Sequence, residues 1–537
     1  MTRTRLRLLA VLTALGAVVG IAAPAAASYS QIEGSGSTWS QVILQQWISD
    51  VDALGMQVTY SGGGSSQGRK DFANYVTDFG ISEIPYQGTD EYGKADTSNG
   101  RQFAYMPIVA GGTAFTYQLR VAGQLVRNLR LSGDTVAKIF TNKITNWNDP
   151  AITKDNNGRV LPALPITPVV RSDGSGTTAQ FTTWLDKQYP STWRPYFGRS
   201  GLTSYYPRKG RMIAAAGSDQ VMNTIAGAAG NGTIGYIEYS YPLNKHFPVV
   251  KLLNKAGYYV EPTQYNTAVA LTKAKINQDK GSQQYLTQIL DGVYTASDAR
   301  AYPLSSYSYM LLPTGANDRR MTTSKRQTLV DFMYYSLCEG QSKAGPYGYS
   351  PLPLNLVNAG FQQLAKLHTA DPAVDVSHRD ATRCNNPTFV KGDLSRNHLA
   401  EIAPMPASCD KVGQGPCDLA TGTNTPSTNA NTKPAAAGAQ PASGAGPAVS
   451  SGGAAAAPPP GTVAAAGAVD PETGQPVAAA AGVSAAAASY AVPTDLAAAR
   501  PADNRVFGDL AVLELLALVL VPGIVAARLR RRSGGVR

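Results

Sequence analysis

The chain has 537 residues, which is too long for one ordinary domain, and its formal net charge is +11 at pH 7. Eight arginines at the extreme ends account for eight of the eleven excess charges and leave +3 for everything between them. They are Arg3, Arg5, Arg7, Arg528, Arg530, Arg531, Arg532 and Arg537. The middle of the chain therefore lacks the concentrated basic surface of nucleic-acid-binding proteins, and that class is excluded.

The N-terminus has the pattern of a secretory signal peptide, which we assign to residues 1–27. Its basic start is followed by an apolar run, Leu8 to Ile21, and then by small residues that end at Ala27. Cleavage is expected before Ser28, so the protein is predicted to be exported. The alternative, a retained N-terminal membrane helix, is disfavoured because the apolar run is short.

The C-terminal part predicts a linker, a membrane span and a basic tail. Residues 418–506 are dominated by Ala, Pro, Gly, Ser and Thr, so they lack the apolar surface needed to fold and are predicted to be a disordered linker. The apolar run from Leu510 to Ala527 predicts a transmembrane helix over residues 507–528, and the basic residues 529–537 suit the cytoplasmic side. A buried or surface amphipathic helix is the alternative, because Glu514 is costly in lipid.

The chain has an even number of cysteines, four, which favours disulfides in an exported protein. Three pairings are possible, and we predict Cys338–Cys384 and Cys409–Cys417. A zinc site is disfavoured because no two cysteines have the close two-residue spacing of zinc ligands. No metal site is predicted.

Residues 28–417 are predicted to form an α/β domain. Apolar residues recur at helical spacing from Thr38 to Val51, which predicts an amphipathic helix. Strands are expected at residues 57–61, 76–82, 166–170 and 233–239. Strand–loop–helix units of this kind imply parallel sheets, with a ligand at the carboxyl ends of the strands.

Three loops rich in Gly, Ser and Thr stand just before predicted helices, at residues 34–39, 62–66 and 173–178. The start of a helix offers free N–H groups and a partial positive charge, and glycine lets an anion approach the backbone. The third loop follows Arg171, whose planar guanidinium suits two anion oxygens, and Asp173 can brace that group. The loops together predict a shared anion site.

An enzymatic alternative is weaker. The required Gly-Lys-Ser/Thr ending of a phosphate-binding P-loop is missing from all three loops. Residues 64–68 formally match a nucleophile elbow with Ser66 as the serine, but in a stretch so rich in glycine the match says little. None of the four histidines has a recognised metal spacing; they are His246, His368, His378 and His398.

A set of short segments, taken in chain order, carries a more specific pattern. They are Gly34–Trp39, Gly64–Ser66, Asp78–Glu83, Arg171–Thr177, Gly232–Tyr239, Gly340–Gln341 and Gly348–Pro353. Together they resemble the phosphate-binding protein of the bacterial high-affinity phosphate ABC transporter, over roughly Ser30 to Leu367. The linker and the span resemble an actinobacterial, membrane-anchored form of that family.

The resemblance implies a two-lobed type II periplasmic-binding-protein fold, an α/β fold whose lobes close on the ligand about hinge strands. The first lobe is expected at about residues 28–108 and 270–405, and the second at about 109–269. The chain is expected to cross between them near residues 107–113 and again near 266–271.

The resemblance also implies the residues that bind phosphate. Hydroxyl groups, backbone N–H groups and one guanidinium are expected to donate, and one carboxylate is expected to accept. The implied ligand-binding residues are Thr38, Trp39, Ser65, Glu83, Arg171, Ser175, Gly176 and Thr177. Asp173 is expected to orient Arg171 without binding the ligand itself. Glu238 is expected to be structural or to support the site, and not to bind the ligand.

Glu83 departs from the family pattern, which usually has Asp at this position. The carboxylate there accepts the proton that phosphate carries and sulfate lacks. Because glutamate is longer by one methylene, its carboxylate must be accommodated differently. A phosphonate or another oxyanion is therefore an alternative ligand.

These features predict an extracytoplasmic receptor that binds inorganic phosphate and delivers it to the subunits of an ABC permease. It is expected to be held at the outer face of the cell membrane by its C-terminal helix, with no cofactor and no chemical step. A surface oxyanion-binding or sensor protein of the same fold, without a transport role, is the alternative. A phosphate-ester hydrolase would need a metal cluster or an activated nucleophile.

Overall fold

A computed structural model of the protein describes residues 29–377, 380–393 and 395–423. The predicted signal peptide, span and tail, almost all of the predicted linker, and His378 lie outside these residues. Among the helices that are described, none is both long enough and apolar enough to cross a membrane. The described part is mixed α/β structure around one curved sheet.

The strands follow in chain order with these bounds: β1 Ile32–Gly36, β2 Val58–Ser61, β3 Phe79–Ser82, β4 Gly88–Thr89, β5 Ala95–Asp96, β6 Phe103–Tyr117, β7 Arg120–Val121, β8 Gln124–Leu125, β9 Arg130–Leu131, β10 Thr167–Arg171, β11 Ile213–Ala215, β12 Thr233–Glu238, β13 Lys251–Leu253, β14 Tyr259–Val260, β15 Lys275–Ile276, β16 Gln288–Ile289 and β17 Ser305–Pro313. Eight of them form the main sheet in the order β11-β10-β12-β6-β17-β3-β1-β2.

The two longest strands, β6 and β17, run antiparallel through the middle of this sheet. On one side β1 pairs parallel with both β2 and β3, and on the other side β10 pairs parallel with both β11 and β12. The sheet therefore has two parallel halves joined by a pair of long antiparallel strands. The first predicted crossing, near residues 107–113, lies on β6.

The helices connect and cover these strands. Their bounds are α1 Gln41–Asp52, α2 Ser65–Ala73, α3 Gly133–Phe140, α4 Pro150–Asp155, α5 Gly176–Gln188, α6 Pro190–Phe197, α7 Gly217–Ala226, α8 Ser240–Asn244, α9 Gln264–Leu271, α10 Asp291–Tyr294, α11 Thr323–Leu337, α12 Gln341–Ala344, α13 Leu354–Ala370 and α14 His398–Ile402. Short 3₁₀ turns lie at Ala381–Arg383 and Ser408–Asp410.

Helix α1 buries the face that the apolar spacing predicts, including Ile43, Trp47 and Val51. It begins three residues later than expected, because the hydroxyl of Ser37 accepts the backbone N–H of Trp39 at 3.0 Å and holds the preceding residues in a turn. Local hydrogen bonding of this kind competes with helix formation.

Residues 266–271, near which the second crossing is predicted, lie in helix α9. The hydroxyl of Thr263 caps this helix by accepting the backbone N–H of Asn266 at 3.2 Å. A threonine three residues before that N–H is a strong helix-start signal. The cap outweighs the β-branched and apolar residues that follow.

An aromatic cluster supports the second half of the sheet. The ring centroids of Phe140 and Phe181 are 5.1 Å apart, and those of Phe181 and Tyr236 are 4.9 Å apart. These edge-on and tilted contacts pack α5 against β12. The hydroxyl of Tyr236 accepts the backbone N–H of Arg171 at 3.2 Å, so the cluster fixes the carboxyl end of β10.

Both predicted disulfides, Cys338–Cys384 and Cys409–Cys417, are confirmed. The C-terminal segment between residues 395 and 423 packs against the middle of the chain. Its Asp410 forms an ion pair of 2.8 Å with Lys251 on β13, and both side chains are buried. Folded structure also extends past residue 417, because the hydroxyl of Thr421 bonds to both backbone groups of Val249.

Candidate functional site

The predicted site residues come together because parallel strands end at the same edge of a sheet. Strand β1 ends at Gly36, β3 ends at Ser82 directly before Glu83, and β10 ends at Arg171. The loops that leave β1, β2 and β10 lead into α1, α2 and α5. All eight residues predicted to bind the ligand are buried: Thr38, Trp39, Ser65, Glu83, Arg171, Ser175, Gly176 and Thr177.

A chain of hydrogen bonds joins the two halves of the sheet at Glu83. The hydroxyl of Ser65, the first residue of α2, donates to Oε2 of Glu83 at 2.6 Å. The backbone N–H of Gly176, at the start of α5, donates to the same hydroxyl at 3.0 Å. Alongside, the N–H of Ser66 donates to the carbonyl of Gly174 at 3.0 Å. The two halves are thus in direct contact, as in a closed cleft.

Two glycines permit this close approach. A β-carbon added to Gly64, which has φ of +91°, would lie 2.5 Å from Oδ2 of Asp173. A β-carbon added to Gly176 would lie 2.1 Å from Oε2 of Glu83 and 2.4 Å from Oγ of Ser65. Both positions therefore need glycine for the halves to meet.

Arg171 supplies the positive charge, and Asp173 holds it. The Nε of Arg171 donates to Oδ1 of Asp173 at 2.7 Å, Nη2 donates to Oδ2, and the backbone N–H of Gly217 reaches Oδ1 at 2.9 Å. Burial acts to lower the pKa of Arg171, but the hydrogen bonds and charge of Asp173 outweigh burial and raise it. Burial likewise acts to raise the pKa of Asp173, and the guanidinium overcomes it and lowers that pKa.

Thr38 is linked to the guanidinium of Arg171 through Ser218. Its Oγ1 is 2.9 Å from the hydroxyl of Ser218 and accepts the backbone N–H of Ser218 at 3.1 Å. The Nη1 of Arg171 donates to the same Ser218 hydroxyl at 3.4 Å. Ser218 lies in the first turn of α7, so the start of a fourth helix joins the three predicted loops.

The remaining predicted donors lie at the start of α5 and before α1. The hydroxyl of Ser175 caps α5 by accepting the N–H of Thr178 at 3.1 Å. The hydroxyl of Thr177 is buried and has no hydrogen-bond partner among the described residues. The N–H of Trp39 is directed to Ser37, while its indole donates to Thr113 at 3.3 Å.

Sequence reasoning missed two hydroxyls of the cluster. Ser218 follows Gly217 at the start of a helix, so the rule that found the other loops could have found it. Ser308, on the central strand β17, donates to Oε1 of Glu83 at 2.9 Å. No local pattern marks Ser308, because it lies inside a run of strand residues 225 positions from Glu83.

Glu238 is buried beside this cluster and bonds to its own chain. Its Oε2 accepts the backbone N–H of Ser240, and its Oε1 has no partner among the described residues. Burial raises the pKa of Glu238 well above its ordinary value, although hydrogen bonds from Ser240 and Tyr349 oppose that shift. A neutral carboxyl adds no charge that would repel an anion.

The segment that formally matches a nucleophile elbow, residues 64–68, lies at the start of α2. Ser66 lies in the first turn of α2, and its hydroxyl accepts from Nη2 of Arg69 at 3.5 Å. The ring Nδ1 of His368 lies 2.7 Å from the carbonyl of Val374, where the imidazole closes a turn. Within the described ranges, no group of three or more His, Cys, Asp or Glu residues could hold a metal ion.

A model of the PBP superfamily domain matches residues 22–339, which is more than half of the chain. The chain belongs to the PBP superfamily. Its relatives in this superfamily include the phosphate-binding protein PstS of Methanocaldococcus jannaschii, which is 33% identical over 341 residues. That alignment covers 62% of this chain and 84% of the relative.

Two further PBP superfamily proteins are similar at lower identity. The phosphate-binding protein PstS 3 of Mycobacterium tuberculosis is 29% identical over 331 residues, which cover 60% of this chain and 82% of the relative. The solved structure of a phosphate-binding protein from Stenotrophomonas maltophilia is 15% identical, covers 62% of this chain and 92% of its own, and has a TM-score of 0.45.

Proposed function

We propose that this protein is an extracytoplasmic receptor that binds inorganic phosphate and passes it to an ABC permease. Binding needs no cofactor and no chemical step in this proposal. Thr38, Trp39, Ser65, Arg171, Ser175, Gly176 and Thr177 donate to the anion, and Glu83 accepts from it. In this proposal the anion takes the place of the contacts that Trp39, Ser65 and Gly176 make within the protein. The names of its relatives, which are phosphate-binding proteins, support the ligand.

One observation carries the choice of ligand. The buried carboxylate of Glu83 lies among donors from the starts of α2 and α5, within the cluster that holds Arg171. Donors and a cation attract any oxyanion, but an ionised carboxylate tolerates only one that brings a proton to share. Phosphate is protonated at neutral pH and sulfate is not, so the arrangement favours phosphate.

The proposal includes export and anchoring. The receptor is directed outward by residues 1–27 and held at the membrane by a helix over residues 507–528, as in an actinobacterial, membrane-anchored form. A flexible linker of about 85 residues has an end-to-end distance of roughly 50 Å, which suits a tethered receptor that must reach a permease. A chain ended at residue 506 should then appear in the medium instead of the membrane fraction.

Calorimetric titration of the purified full-length chain tests the ligand. After bound anion is removed by unfolding and refolding, phosphate should bind with micromolar or tighter affinity and sulfate should not. Arg171→Ala should weaken phosphate binding by about 2–5 kcal/mol, since truncating one partner of a buried charge pair has this effect. Arg194→Ala is the matched control, because Arg194 pairs with Asp186 on the surface of the same half.

A folded chain that gives no heat with phosphate would refute the proposed ligand, and other oxyanions including phosphonates would then be titrated. Tight phosphate binding without any effect of deletion on phosphate uptake by cells would instead favour a surface sensor of the same fold. The two results separate ligand identity from the transport role.

A further inference from the structure

The pairing of β17 with β6 is irregular beside the candidate site. Ser308 faces Val109 while the next residue, Tyr309, faces Pro107, so Ile108 has no partner on β17. This is a β-bulge on β6, and proline fits it because proline has no N–H for the ladder. On β17, directly at the bulge, Ser308 donates its hydroxyl to Glu83.

Both carboxylate oxygens of Glu83 accept a hydroxyl. The Oγ of Ser308 donates to Oε1 at 2.9 Å, while Ser65 donates to Oε2 at 2.6 Å. Ser308 has one proton to give, so the hydroxyl of Ser40, 3.1 Å away, must be the donor in its contact with Ser308. All four side chains are buried. The direction of donation therefore runs from Ser40 through Ser308 to Glu83.

The backbone of Glu83 is also fixed by hydrogen bonds. Its carbonyl accepts from Nε2 of Gln180 at 2.8 Å and from Nε2 of Gln288 at 3.0 Å. The amide of Gln288 also bonds to both backbone groups of Tyr307, the residue before Ser308. Gln288 thereby links the residue that follows β3 to the strand that carries Ser308.

We infer that Ser308 is a positioning residue that determines specificity, because its hydroxyl fixes where the carboxylate of Glu83 points. This inference rests on the proposed function. A carboxylate has about four acceptor sites, so Glu83 can accept the Ser308 hydroxyl and still accept the proton of a phosphate. The longer side chain of Glu83 thus gains a fixed anchor on the central strand.

Loss of this hydroxyl has a consequence that a merely structural role lacks. Without Ser308 the carboxylate of Glu83 can turn away from the place where it accepts the proton of a phosphate. A displaced carboxylate lowers phosphate affinity and no longer opposes an anion that brings no proton. The substitution should therefore reduce discrimination between phosphate and sulfate.

The test compares Ser308→Ala with wild type by calorimetric titration of the full-length chain with phosphate and with sulfate. Phosphate affinity should fall roughly 10- to 100-fold, the range expected for one hydrogen bond to a charged group. Sulfate binding should become measurable in Ser308→Ala, so the sulfate dissociation constant divided by the phosphate dissociation constant should fall below its wild-type value.

Two variants control the test. Ser308→Thr keeps the hydroxyl and should restore most of the affinity and selectivity. Ser306→Ala removes a buried hydroxyl two residues away on the same strand that has no hydrogen-bond partner among the described residues, and it should bind as wild type does. If Ser308→Ala does not fold, Ser308→Cys replaces it, since a thiol is a weak donor of similar shape.

Three outcomes would overturn the inference. Wild-type affinity and selectivity in Ser308→Ala would show that the hydroxyl is not needed. An equal loss of phosphate affinity in the Ala and Thr variants, with sulfate still excluded, would show a packing role only. If wild type itself binds no phosphate, the proposed function fails with the inference, and this result is distinct from the other two.

Discussion

Arg171 and Asp173 form a buried ion pair in which Nε lies 2.7 Å from Oδ1, although only one residue separates them in the chain. The pair leaves Nη1 of Arg171 turned toward Ser218 and the Thr38 loop. A short local contact therefore fixes the orientation of a cation that serves a site assembled from distant segments.

Replacement of Asp173 by Asn should destabilise the ligand-free protein. Removing one partner of a buried pair leaves an uncompensated charge and costs about 3–5 kcal/mol of unfolding free energy. Saturating phosphate should reduce the loss, because the anion supplies the missing opposite charge. Urea unfolding with and without phosphate measures both values. Asp186→Asn should have a far smaller effect, because its partner Arg194 is half exposed and stays hydrated without it. An equal loss in both variants would contradict the prediction.

Replacement of Gly176 by Ala should abolish tight binding while the fold persists. The added β-carbon would lie 2.1 Å from Oε2 of Glu83, so the carboxylate and the Ser65 hydroxyl must both move. Loss of their contacts to the ligand should weaken phosphate binding by about 3 kcal/mol, roughly 100-fold. Gly315→Ala is the control, since its nearest atoms would lie 3.4 Å away. Unchanged titration of Gly176→Ala would show that the two halves are further apart than described.

Glu261 should make stability depend on pH. Burial raises its pKa from 4.5 to about 7, although Lys251 and the N–H of Gly422, 3.0 Å from Oε2, act to lower it. A raised pKa means that the folded state binds more protons between pH 4.5 and 7. The contribution of this group is therefore fully present below pH 4.5 and is lost as the pH rises to 7.

Glu261→Gln removes this dependence. The unfolding free energy of the variant minus that of wild type should rise by about 3 kcal/mol between pH 4.5 and pH 8, from a shift of roughly 2.5 pKa units. Other titrating groups cancel in the difference. Urea unfolding at several pH values measures it, and a difference that stays flat would exclude Glu261 as the titrating group.

The two disulfides should contribute unequally to stability. Cys338–Cys384 spans 46 residues and Cys409–Cys417 spans 8. The chain-entropy relation gives about 4 kcal/mol for the longer loop and about 2.5 kcal/mol for the shorter. Paired Cys→Ala variants of each bridge, compared by urea unfolding, measure this order. The reverse order would mean that the C-terminal loop closed by Cys409–Cys417 holds more structure than its length suggests.

The sequence by itself predicted much of this protein because the relevant information is local. Strands at 58–61, 79–82, 167–171 and 233–238 lie within one to three residues of their expected bounds. Parallel strands bring their carboxyl ends to one edge, so Gly/Ser loops after such strands were expected to meet. Both cysteine pairs were also predicted correctly.

Only the tertiary structure decided what surrounds Glu83. Ser308 and Gln288 reach it from more than 200 positions along the chain, and neither has a neighbouring pattern that marks a site. A strand residue shows which face it lies on but not which side chain it meets across the sheet, and here a bulge changes even that register. The spacing of residues along the chain was enough to predict the donors of the site. The contacts that hold Glu83, the one residue predicted to accept from the ligand, depend on packing between distant strands.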